Sequence, residues 1–261
     1  AFYPVWFLFH CWDLVINFLR LPALNLGFDT LTVYPDPNPE STSVDGYTGM
    51  DGGTGTGDAG WDALISGAGT AGLLQDTVAS TIIAYFGGNA SSQWDSNLRS
   101  IFLFDTSSLG TSASISAAVM SLSGTTDKSD AGGWAPTVNV YISSPASNTA
   151  LAASDYNIAN WGSTAQADSG ITYANWLTSG YNDFTFNATG RGNVSKTGIS
   201  KFGIRNNYDV TSTTPSPVSD NKLRMSSYYA DQTGTTNDPK LVVTYTLVIT
   251  GPSILMQLAA Q

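Results

Sequence analysis

Nine short runs with large apolar residues at alternate positions follow one another along this chain, with turn residues between them. They are FDTLTVYP from residue 28, TIIAYF from 81, LRSIFLF from 98, ISAAVMSLS from 115 and TVNVYIS from 137. DFTFNAT from 183, ISKFGIR from 199, LRMSSYYA from 223 and KLVVTYTLVI from 240 complete the series. A period of two is the signature of a strand, because successive side chains point to opposite faces. In the last run Leu241, Val243, Tyr245 and Leu247 share one face, whereas in ISAAVMSLS neither face is strongly polar. Strands with no helical stretches between them predict an all-β fold, a jelly-roll β-sandwich over 28–250, and not a parallel α/β sheet. A chain of 261 residues suits one such domain.

One stretch interrupts the pattern. Residues 45–72 are rich in glycine and predict a flexible surface loop inserted into the sandwich. Within it GGTGTGD (52–58) falls short of a calcium-binding β-roll repeat, since the Asp comes one place late and the motif occurs once. No Gly-Lys-Ser/Thr follows, so there is no phosphate-binding loop.

Residues 1–27 are of another kind. The 17-residue run VWFLFHCWDLVINFLRL has its polar residues His10, Asp13, Asn17 and Arg20 spaced 3, 4 and 3 apart, one narrow stripe on a helix. Trp6, Phe7, Phe9, Trp12, Ile16 and Phe18 belong to the apolar remainder, which must be covered by protein or lipid. As a helix the run spans roughly 26 Å, short of a bilayer core of about 30 Å. A retained leader, a membrane anchor and a helix that packs against other copies of the chain all stay open. The apolar extension 251–261, with Ile254 and Leu255, offers a second contact for a homo-oligomer. These twelve residues form the expected assembly set.

Charge and residue counts exclude several functions. The net charge is −10 and only 11% of residues are charged, with no cluster of Lys or Arg, so nucleic-acid binding is not expected. Cys11 is the only cysteine, which leaves no internal disulfide and no thiolate zinc site. His10 is the only histidine, so any Ser-His-Asp or histidine-metal site would have to run through it. Glycoside hydrolysis needs two carboxyls with split pKa values. Nothing singles out Asp58 with Asp62, or Asp127 with Asp130, for that role. KTG at 196, SDN at 219 and the overlapping SxxK stand in the wrong order for penicilloyl transfer. No catalytic residue, metal or cofactor is expected. Low Lys and Glu with abundant Ser, Thr and Asn suits a secreted or virion-surface β protein.

NLRSIFLFDTSSL (97–109) followed by ISAAVMSLSG (115–124) resembles the pattern of the DNRLRE-type β-sandwich modules. The matching positions are Arg99, Phe104, Asp105, Ser107, Ile115, Ala118, Met120 and Leu122, with VNVYISS at 138 and DPKLVVTYT at 238 as later strands. The resemblance implies a non-catalytic jelly roll of extracellular, cell-surface and phage-associated proteins, some similar to carbohydrate-binding modules. The Gly-rich stretch and the apolar amino-terminal run lie outside the family pattern. Arg99 and Asp105 would share a strand face yet stand roughly 20 Å apart, too far to pair. Asp105 is placed to close an Asx turn two residues on, so both read as scaffold.

Aromatic rings are the one ligand chemistry the sequence offers. Trp94, Trp134 and Trp161 stand in loop-like contexts where they could stack on sugars, while Trp61 and Trp176 read as core or anchoring residues. The resulting expectation is a structural subunit of a surface fibre, filament or virion that assembles through its termini. A polysaccharide-binding adhesion module and a membrane-anchored surface protein are the alternatives.

Overall fold

A computed structural model of the protein describes residues 24–25, 27–51, 55–90, 93–216 and 221–249. The apolar run 5–21, the extension 251–261 and all twelve expected assembly residues lie outside them.

Among the described residues the regular structure is mostly β. Each of the nine alternating runs forms a strand: β2 (Asp29–Val33), β5 (Ser80–Ala90), β6 (Gln93–Asp105), β7 (Ala113–Asp130), β8 (Thr137–Ile142), β10 (Tyr181–Thr185), β11 (Ile199–Asn206), β12 (Lys222–Tyr228) and β13 (Lys240–Ile249). Four more strands had no clear alternation: β1 (Leu24–Asn25), β3 (Asp45–Asp51), β4 (Leu74–Gln75) and β9 (Ile171–Thr172). Three helices are α1 (Gly57–Ile65), α2 (Ala188–Gly192) and α3 (Asn207–Thr211).

The strands form one antiparallel, curled sheet in the order β1-β13-β7-β12-β5-β6-β11-β8-β9, with β2 on β13, β10 on β7, and β3 between β4 and β6. The 18-residue β7 joins its two halves. Its first part pairs with β13 and β10, and its last part, Gly124–Asp130, pairs with β12. Register shifts at Thr244/Tyr245 and Met225/Ser226 bend the strands there. The halves fold over one core: Ala118, Met120, Leu122, Leu241 and Val243 from one, Ile83, Phe102, Phe104, Val140 and Phe202 from the other. Leu241 and Val243 are fully buried, and Tyr245 and Leu247 pack partly against them, which is the face the sequence marks as apolar.

Strand β6 is buried on both faces. Phe102 and Phe104 enter the main core, while Ile101 and Leu103 pack on Val44, Leu151 and Trp161. That second side carries the site described below.

Residues 52–54 of the Gly-rich stretch lie outside the described residues; the rest of it is a strand and a helix packed on the sheet, not the flexible loop expected from its composition. Strand β3 pairs along β6 from Ser96 to Phe102, and α1 buries Trp61, Leu64 and Ile65 against Phe86, Trp94, Trp134 and Leu223. Glycine serves close approach here. A Cβ on Gly46 would lie 2.1 Å from the carbonyl oxygen of Gln75, and one on Gly60 would lie 2.2 Å from backbone of Gly55. Composition reports the freedom of a chain without partners; it is blind to the backbone lying alongside.

Candidate functional site

Arg99 lies in the middle of β6 and is wholly buried, so its charge needs a partner inside the fold. The partner is Asp209 of α3. Arg99 Nη2 donates to Asp209 Oδ1 at 2.6 Å and Nε to Oδ2 at 2.9 Å, a two-pronged pair. Asn206 caps the helix by accepting the main-chain N–H of Asp209 at 3.0 Å, which fixes where that carboxylate points. Arg205, four residues before Asp209, adds Nε to Oδ2 at 2.8 Å and Nη2 to Oδ1 at 3.1 Å. Arg99 also donates to the carbonyls of Ile65 and Tyr156, and Arg205 to those of Gly162 and Asp209. The Arg99 guanidinium lies 4.2 Å from the centre of the Tyr156 ring. Burial would raise the Asp209 pKa, but the two arginines bring it down to about 2.

The same face carries Asn97. Its amide donates to the Tyr156 hydroxyl at 2.9 Å, which in turn donates to the carbonyl of Leu64 at 3.0 Å. Burial pushes the Tyr156 phenol up to about 12, so it stays a neutral donor. The network thereby ties β6, β11, α3, the 3-10 turn at Ala153–Tyr156 and the end of α1 together. Arg205 and Asp209 also line a cleft of about 580 Å³, together with Asp62, Ile65, Trp161 and Ser212. Both Asp209 oxygens already accept from the arginines, and the cleft also presents the hydroxyls of Ser66, Ser163 and Ser212 and the Asp62 carboxylate.

A second, smaller groove of about 310 Å³ lies over β3, β5, β6 and β12, lined by Tyr47, Tyr85, Lys222 and Arg224 among others. The Lys222 ammonium is 5.8 Å from the Tyr85 ring centre, and a hydrogen bond with that tyrosine raises its pKa. Arg224 pairs with Asp127 at 3.0 Å.

The three tryptophans expected to stack on sugars are buried instead, at 0% exposure for Trp94, 6% for Trp134 and 8% for Trp161. Trp94 and Trp134 join Trp61 and Phe86 in one aromatic cluster, with the Trp61 and Trp94 rings 4.9 Å apart at 65°. Trp134 donates to the Ser216 carbonyl at 2.5 Å and Trp161 to that of Asp155 at 2.9 Å. Helix α1 covers Trp94 and Trp134, while Trp161 packs on Val44, Ile101, Leu103 and Leu151; neither covering is visible in the local sequence around these rings. Trp61 and Trp176 are buried as read. Asp105 Oδ1 accepts the N–H of Ser107 at 2.9 Å, the expected Asx turn. Arg205 and Asp209 were missed. Their available signal was an arginine inside an apolar run, which demands a buried acid without saying which.

No family model matches the chain, and no curated protein does.

Proposed function

We propose that this protein is a non-catalytic extracellular structural subunit, of a surface fibre, filament or virion, that assembles with copies of itself through its two ends. The observation that supports this reading is the pairing of β1 with β13. Leu24 stands opposite Ile249 and Asn25 opposite Val248. The chain therefore enters and leaves the described fold at one place, and the apolar runs 5–21 and 254–260 lie a few residues away from it in sequence. Runs this apolar carry more non-polar side-chain area than a soluble monomer leaves in one patch, which in this reading is covered by other copies. In this reading the curled sheet is a jelly-roll sandwich of the DNRLRE type, and 5–21 is a helix whose His10, Asp13, Asn17 and Arg20 set register between copies.

Light scattering of the intact chain and of a chain beginning at Phe28 tests it. Assemblies from the first and a folded monomer from the second are expected. Assemblies of unchanged size after truncation would overturn the reading, and association only with lipid would replace it with a membrane anchor.

The groove of Tyr47, Tyr85, Lys222 and Arg224 favours a second reading, an adhesion module for acidic polysaccharide. Two of the ten basic residues of the chain meet two tyrosines there, beside the carboxylates of Asp51 and Asp95. Retention of the intact chain on an acidic polysaccharide, lost on Lys222→Ala with Arg224→Ala, is the corresponding test. A glycan array with no binder removes it.

A further inference from the structure

The cleft beside Arg205 and Asp209 has features that the buried ion pair does not use. A guanidinium carries five N–H donors. Arg205 directs Nε and Nη2 to Asp209, and one N–H of Nη1 to the Gly162 carbonyl at 3.1 Å. The second N–H of Nη1 has no acceptor among the described residues, although the side chain is only 2% exposed. A buried donor without an acceptor is costly, and Arg205 lines the cleft, from which a ligand can supply one.

Part of the lining is apolar. Ile158 is 38% exposed, one of three large apolar side chains left open among the described residues, and it stands beside the largely buried Trp161. The rest is polar and under-used. The Ser66 hydroxyl donates to the Asp62 carbonyl at 2.6 Å, which leaves its oxygen able to accept. The Asp62 carboxylate and the Ser212 hydroxyl enter no hydrogen bond among the described residues. Ser212 ends α3 in left-handed backbone, at φ 51° and ψ 35°. Glycine takes that conformation without strain, whereas serine keeps a hydroxyl at the cleft.

We propose that this cleft binds a neutral saccharide unit, with sugar hydroxyls on Arg205, Asp62, Ser66 and Ser212 and a C–H face on Ile158. A ligand here has to accept from Arg205 and donate to Asp62, and a hydroxyl does both. Several hydroxyls on one ring serve several of these groups at once. An anion gains little, because Asp209 already takes the forks of both arginines and Asp62 carries like charge. A simple cation cannot accept from Arg205. The cleft, at about 580 Å³, has the size of small-molecule sites, and an apolar wall with a few polar groups is their usual lining. The network of Arg99, Asp209 and Arg205 fixes the buried side of the cleft before a ligand arrives, which lowers the ordering cost of binding. The cleft shares no residue with the groove at Lys222 or with the two ends of the chain, so this site goes beyond both readings above.

Cellobiose, maltose, lactose and mannobiose, each titrated into the intact chain, test this by saturation-transfer NMR and by tryptophan emission, to which Trp161 contributes. At least one should bind with a millimolar Kd or tighter, and its ring C–H protons should receive saturation. Asp62, Ile158 and Ser212 are exposed, so Asp62→Ala, Ile158→Ser and Ser212→Gly should all fold. Each should weaken binding about fivefold or more. Ser212→Gly should do so with an unchanged or higher melting temperature, which separates a binding role from a structural one. Lys222→Ala with Arg224→Ala should leave the affinity unchanged. Absence of binding to all four sugars, or affinity untouched by the three cleft variants, would overturn the site. Loss of binding in the Lys222 and Arg224 variant would overturn it too, by placing the sugar in the groove.

Discussion

Arg99 and Asp209 are 110 residues apart in sequence, yet their side chains meet through two hydrogen bonds of 2.6 and 2.9 Å, with neither exposed to solvent. The pair joins the central strand of the sheet to a five-residue helix that has little packing of its own. Asp209→Asn leaves two guanidinium groups buried without a counter-charge. The expected loss is about 3–5 kcal/mol of unfolding free energy, read from denaturant melts. Arg99→Lys should also destabilise, since an ammonium cannot reproduce the fork that reaches Asp209 together with the Ile65 and Tyr156 carbonyls.

Stability should respond to pH in two opposite directions. The arginines hold the Asp209 pKa at about 2, below its ordinary value of 3.8. Its contribution is therefore complete above about pH 4 and lost as pH falls toward 2, about 2–3 kcal/mol in all. Asp45 is pushed the other way, by burial and by Asp231, Asp238 and Glu40, well above 3.8. Its contribution is present below about pH 4 and lost as pH rises through its elevated pKa. The melting temperature should climb as pH drops from about 7 toward 4, then fall steeply. A steady decline over the whole range would count against the Asp45 assignment.

Trp61 separates a packed Gly-rich segment from a loose one. It is fully buried, against Phe86 and Trp94 with ring centres 5.6 and 4.9 Å away. Trp61→Ala should cost about 3–5 kcal/mol. A residue on a flexible surface loop would change stability by no more than about 0.5 kcal/mol.

Trp134→Ala and Trp161→Ala make a related contrast. Rings that stack on sugar from an exposed loop can be removed with little effect on melting. These two are buried and donate hydrogen bonds to main-chain carbonyls, so each replacement should lower the melting temperature by several degrees, with or without a glycan present. Unchanged melting with lost glycan retention would restore them as binding residues.

What the sequence by itself determined is local. Nine strands were legible because alternation is a property of a few consecutive residues. The buried face of β13, through Leu241 and Val243, follows from the same period. The Asx turn at Asp105 was legible because its acceptor and the Ser107 N–H are two residues apart. Strand β3 and helix α1 were not. Their glycine content resembles that of a loop, and their order comes from β6 and from the aromatic cluster, which lie far away in sequence. Only the tertiary structure decided which of twenty acids answers Arg99, and that Trp94, Trp134 and Trp161 turn inward. Periodicity tells a side chain which face it occupies, but register and the folding of the sheet over β7 determine what stands across from it. Burial and electrostatic pairing depend on that second relation, and no local pattern encodes it.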